Sequence, residues 1–347
     1  RSCRRYCAAA LLTGADAAAC RRLATAPGLA PGFAARIFCL APNGDYAAAS
    51  VTLETARVLG AVTGAEDAAL ARFLDPELFE GVPPLPAPAR PDPLLFRVHE
   101  AIGESLPTAA LPLAFAQADL RSNAGWKAQI EAAERLARSG AVDGNRLLGL
   151  YTERRPPASG GLWDRVAAVQ RFDRALAAQD PGAVAAALPE AWQAMGEAGL
   201  RPVFARFYAE KLQGTALPGN AATIAFEIGL LSDGYETAAA AHAPADARDR
   251  FLKALARGDL AGVPAPDDTA AAIAEGFRSA EAPERLKPLV ERGDLGAAIL
   301  GAIALTRDAA AGDLAKLGDA LALFRAVGLE DAARRTALQM MILGPEA

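Results

Sequence analysis

Long β-branched runs with period-two alternation are absent from this chain, so its apolar positions give no support to an all-β or a βαβ reading. The pattern is punctuated instead at short turns, in a unit that reads helix, x-Gly-Asp/Ala-x, helix. Thr13-Gly14-Ala15-Asp16 is followed 30 positions later by Asn43-Gly44-Asp45-Tyr46, and Ser139-Gly140-Ala141-Val142 repeats the form. Arg257-Gly258-Asp259-Leu260, Arg292-Gly293-Asp294-Leu295 and Ala311-Gly312-Asp313-Leu314 follow, at intervals of 35 and then 19 positions. A glycine just past a helix accepts the left-handed conformation, and an aspartate after it can cap the next helix. Intervals of 30 to 35 fit one helical hairpin each, and 19 fits a single helix with its turn. The expected fold is all-α.

Composition sharpens this picture. Of the 347 residues 52% are hydrophobic but only 6% aromatic, and much of the remainder is alanine, the best helix former. The longest apolar run, Gly296 to Leu305, is about half the ~20 residues a membrane span needs and reads as a buried helix. The net charge is −5 with both signs interspersed, so no basic face for nucleic acid is visible. The chain opens on Arg1 rather than methionine, which suggests that a segment upstream has been removed.

The period and the turn chemistry resemble the tetratricopeptide (TPR) class of α-solenoid, with Phe38 to Ala56 (FCLAPNGDYAAASVTLETA) as the best local instance. Over its whole length the chain also resembles an uncharacterised alphaproteobacterial helical family, which implies no activity. The TPR resemblance implies a right-handed α-solenoid of antiparallel helical hairpins. It is interrupted at Gly81 to Pro93 (GVPPLPAPARPDP), where six prolines in thirteen residues enforce an extended path. That path should run over the surface, with Leu85 or Leu94 to Phe96 docked on helices. It divides the chain into an N-terminal array over 1–80, a linker over 81–93 and a C-terminal array over 94–347.

Three of the four cysteines lie in the first twenty residues. About the Thr13–Gly14 turn, Cys7 and Cys20 are mirror positions on two antiparallel helices, which predicts a Cys7–Cys20 bridge. In a TPR-like stack the first helix also lies beside the first helix of the next hairpin. That brings Cys39 to Cys3 as the second pair. The alternative, Cys3–Cys20 with Cys7–Cys39, rests on a separation close to one repeat. A Cys3–Cys7 bridge within one helix is disfavoured, because the ~5–6 Å Cβ separation at i, i+4 exceeds disulfide geometry. Four thiolates around zinc is the competing reading. Disulfides persist in oxidising compartments, which points to export and to the periplasm.

Catalytic motifs are scarce. Gly-x-Ser-x-Gly, P-loop and Rossmann glycine patterns are absent, and only His99 and His242 could serve as imidazole ligands. Gly103-Glu104-Ser105 shares a glutamate–serine step with lytic transglycosylases, but Pro107 follows at once and the rest of that pattern is missing. The interruption Tyr151 to Trp163 (YTERRPPASGGLW) offers more. Arg154 and Arg155 close one helix, where cations suit its C-terminal end, and Ser159 and Gly160 lead to Trp163. These five residues form either a solvated turn or a surface that binds an acidic partner. Trp126, Trp163, Trp192, Phe204, Phe207 and Tyr208 are expected as packing anchors, and Met340 and Met341 as a core pair. The expected function is a non-enzymatic, exported scaffold that binds another protein of the cell envelope, with no cofactor. A cell-wall enzyme or accessory, and a small-ligand module, are the alternatives.

Overall fold

The computed structural model describes residues 2–278 and 281–344, 69% of the chain is helical, and no strand occurs among the described residues. Two compact units are present, residues 1–150 and 151–347. The first contains α1 (Ser2–Thr13), α2 (Asp16–Thr25), α3 (Phe33–Leu40), α4 (Tyr46–Val58), α5 (Gly64–Leu74), α6 (Pro93–Ala101), α7 (Ala116–Asp119), α8 (Trp126–Arg138) and α9 (Gly144–Thr152), whose last turn crosses the boundary. The second contains α10 (Leu162–Ala177), α11 (Pro181–Glu197), α12 (Arg201–Leu212), α13 (Gly219–Leu230), α14 (Tyr235–Ala241) and α15 (Ala247–Arg257). It continues with α16 (Asp268–Arg278), α17 (Lys287–Glu291), α18 (Leu295–Ala310), α19 (Ala315–Ala326) and α20 (Glu330–Leu343). The chain therefore divides at Leu150–Tyr151, and the proline stretch lies inside the first unit instead of separating two arrays.

The turn glycines behave as their pattern predicts. Gly14, Gly44, Gly140, Gly258, Gly293 and Gly312 all have positive φ, between 70° and 113°. The aspartates that follow them mostly do something else. Asp45 caps α4 by accepting from Ala48 N at 3.2 Å, but Asp259 precedes a loop and Asp294 makes no side-chain cap. Packing also reaches beyond consecutive helices: α1 meets α6 and α7 as well as α2, and α15 meets α20.

Residues 82–92 of the proline stretch form no helix and bend at Ala89–Arg90, and α6 begins at Pro93, a position that needs no N–H. Glu104 holds it down. Its Oε2 accepts from Leu85 N at 2.8 Å, and its Oε1 pairs at 2.6 Å with Arg72, whose Nη2 donates to Pro83 O at 2.8 Å. Leu85 packs on the first unit's core, in which Leu94 is buried, and Phe96 is buried in a smaller cluster with Phe115. The carboxylate that shares a glutamate–serine step with lytic transglycosylases is thus a structural strap. Nearby, burial opposes ionisation of Glu100, yet hydrogen bonds from Arg121 and Arg97 outweigh it and hold that carboxyl below its ordinary range.

The disulfide joins Cys20 on α2 to Cys39 on α3, with Cα atoms 4.9 Å apart. This overturns Cys7–Cys20 and Cys3–Cys39, and the alternative crossing with them. The mirror argument holds, but about a different turn. Cys20 and Cys39 are equidistant from the Leu29–Ala30 link between α2 and α3, which also pack together. Cys7 is buried in the same apolar cluster as Cys20 and Cys39, and the side chain of Cys3 lies outside the described residues.

A second correction concerns Gly296 to Leu305. Within α18, Ala298, Ala302 and Leu305 are buried, but Leu300 is 68% and Ile303 45% exposed, so the run is a half-buried helix. Of the aromatic residues, Trp192, Phe204 and Tyr208 join Phe172 in the core of the second unit, and Trp126 Nε1 donates to Leu150 O at 2.9 Å in the first. Met341 is buried and Met340 half-buried.

Candidate ligand-binding site

The strongest side-chain constellation lies where α13, α14 and α15 meet. At Gly229 on α13 an added Cβ would come within 2.6 Å of Ala238 Cβ, so α14 lies against α13 with almost no side chain between them. That approach carries the end of α14 to Phe226. His242 caps α14, its N–H donating to Ala238 O at 3.1 Å, and Pro244 stops the helix from continuing. The chain re-enters a helix two residues later, where Asp246 caps α15 by accepting from Asp249 N at 2.8 Å.

Asp249, in the first turn of α15, is buried at 3% exposure, where the helix dipole favours a carboxylate. Its Oδ2 accepts from Ala245 N at 3.1 Å and meets His242 Nε2 at 2.9 Å. An ionised carboxylate only accepts, so Nε2 carries the proton, and in the neutral ring the lone pair is on Nδ1. Phe226 stacks on the imidazole with ring centroids 3.6 Å apart and planes 6° from parallel. Lys253 Nζ donates to His242 O at 2.6 Å. The ring is therefore held in plane and tilt, and no hydrogen bond to Nδ1 occurs among the described residues.

His242 forms part of the wall of a cavity of about 430 Å³, lined also by Leu212, Leu217, Ala222, Phe226 and Thr237. The size falls within the ~300–1,000 Å³ of small-molecule sites, and the lining has their character, mainly apolar with a few fixed polar groups. A ligand O–H or N–H directed at Nδ1 would find an acceptor that pays no further cost of ordering.

The five residues expected to bind a partner lie in one exposed stretch elsewhere in the second unit. Arg154 pairs with Glu153 at 2.9 Å, and its carbonyl accepts from Gln170 Nε2 at 2.7 Å. Gly160 N donates to Asp164 Oδ1 at 2.9 Å, Ser159 and Arg155 are exposed, and Trp163 is half-buried on α10. Hydrogen bonds thus tie the turn to α10, and none of these residues reaches the His242 cavity. His242 itself entered the sequence reading only as a scarce metal ligand. A signal was present: His-Ala-Pro-Ala-Asp-Ala-Arg-Asp joins a helix stop to a helix start, with a second aspartate at the third helical position. No group of three His, Cys, Asp or Glu residues placed to hold a metal occurs among the described residues.

No protein-family model, curated protein or solved structure matches this chain.

Proposed function

We propose that this chain is an exported, non-enzymatic helical binding protein, built from TPR-like hairpins, whose second unit takes a small, largely apolar ligand bearing a hydrogen-bond donor. The observation that carries the reading is the His242 imidazole, fixed by buried Asp249 and Phe226 in the wall of an apolar cavity. The Cys20–Cys39 bridge supports export to an oxidising compartment such as the periplasm, and no described helix is long and apolar enough to cross a membrane.

Phenol, an aromatic ring with one O–H, is a minimal probe. Titrating it against the imidazole nitrogen resonances should shift Nδ1 of His242 saturably in the wild type. The same titration should leave Ala222→Trp, which fills the cavity, unchanged. A wild-type protein whose His242 signals stay fixed at millimolar phenol would refute the site.

A protein partner is a second reading, favoured by Arg155, which is exposed and makes no ion pair among the described residues. If an acidic envelope protein docks there, reversing the charge at both Arg154 and Arg155 should abolish its capture while the melting temperature hardly changes. Equal capture by that double variant would reduce the stretch to a solvated turn.

A further inference from the structure

Beside the His242 site, and sharing no lining residue with it, a second cavity of about 460 Å³ opens along α15. Arg250, Lys253 and Arg257 follow one another at helical spacing and line it together. Gly258 adopts the left-handed conformation that ends α15, and the chain turns so that Asp259 and the segment Gly262 to Pro264 form further parts of the wall. Three cations and one carboxylate leave this cleft with two positive charges.

Solvated surface cations are ordinary, so the distribution of partners decides the reading. On the same helix Arg248 pairs with Glu227 and donates to Met341 O, and on α20 Arg334 and Arg335 pair with Glu236 and Asp233. Among the described residues no carboxylate pairs with Arg250 or Arg257. Asp246, one turn before Arg250, spends its Oδ1 on the helix cap, and Asp259 Oδ1 accepts from Ala261 N. Arg257 suits the C-terminal end of α15, but Arg250 is close to the N-terminal end, where the helix dipole disfavours a cation. Its position beside two further cations is an electrostatic cost that an anion in the cleft would repay.

We infer that this cleft binds a dianionic phosphoryl group, with Arg250 and Arg257 as the main donors and Lys253 as a fixed positive charge between them. Two guanidinium forks match the oxygens of a phosphate, and a dianion balances the net charge of the cleft. The volume leaves room for an organic substituent on the phosphate.

The test is calorimetric titration of the whole protein with methyl phosphate and with inorganic phosphate, at low ionic strength and slightly alkaline pH. Saturable binding is expected, weakened by about tenfold or more in the Arg250→Gln/Arg257→Gln double variant. Ala222→Trp should still bind both anions saturably, which separates this site from the phenol site. Circular dichroism and melting of the double variant establish that it is folded. If it is not, each single glutamine variant is titrated instead, and either should weaken binding. Absence of saturable binding to the wild type overturns the inference, as does unchanged affinity in folded variants. Equal affinity for methyl sulfate, which carries a single charge, overturns the assignment to a dianion.

Discussion

Phe204→Ala is expected to destabilise the second unit by about 3–5 kcal/mol, the largest effect of any single truncation considered for this chain. Phe204 on α12 is fully buried. Its ring lies 5.3 Å from Phe172 on α10, 6.0 Å from Trp192 on α11 and 4.6 Å from Tyr208 on its own helix. Removing it leaves a void bounded by three other aromatic rings, and rigid rings close such a void poorly. Tyr208 is further constrained, because its hydroxyl donates to Asp173 at 3.1 Å and burial, with that carboxylate, pushes its pKa well above the ordinary value. Urea unfolding followed by tryptophan fluorescence measures the effect. Phe207→Ala, a half-buried neighbour, is the matched control and should cost distinctly less. A loss below about 1 kcal/mol for Phe204→Ala would show that the helices can collapse into the space, against the rigidity argued here.

Reducing the Cys20–Cys39 bridge, or replacing both cysteines by serine, should cost the first unit about 2–4 kcal/mol. The bond closes a segment of 19 residues and fastens α2 to α3 within an apolar cluster. The effect should be local. Amide exchange should accelerate in α2 and α3 and remain unchanged around Phe204, because the two lie in separate compact units. Non-reducing peptide mapping tests the pairing itself. Recovery of a Cys7–Cys20 peptide from the native protein would contradict the structure.

These two predictions also mark how far the sequence could be read. Alanine content and six turn glycines with positive φ made the helical class legible, because those signals act within a few residues of where they stand. The disulfide was half legible. Equidistance from a turn is a sound rule, but Cys20 is equidistant with Cys7 about one turn and with Cys39 about the next, and only packing chooses between them. Misplacing the domain boundary has a similar origin. Six prolines look like a linker, yet one carboxylate, Glu104, straps the segment to the unit it was expected to leave. The candidate site was the least legible part. Its stacking ring and buried carboxylate come from two helices and its imidazole from the cap of a third, and the approach that unites them depends on Gly229 meeting Ala238, a contact that no local pattern announces.

Lys253 stands in both neighbourhoods: it lines the cationic cleft, and its ammonium group is bonded to the carbonyl of His242. An anion settling in the cleft competes for that ammonium group, and a ligand settling against the imidazole depends on the backbone the same group restrains. Should both sites bind as proposed, coupling between them would pass through this bond. Thermodynamic reciprocity makes the exchange symmetrical: whatever factor a phosphate imposes on the affinity of the apolar ligand, that ligand must impose on the phosphate. If both cavities fill as proposed, this one hydrogen bond is the route by which either would report on the other.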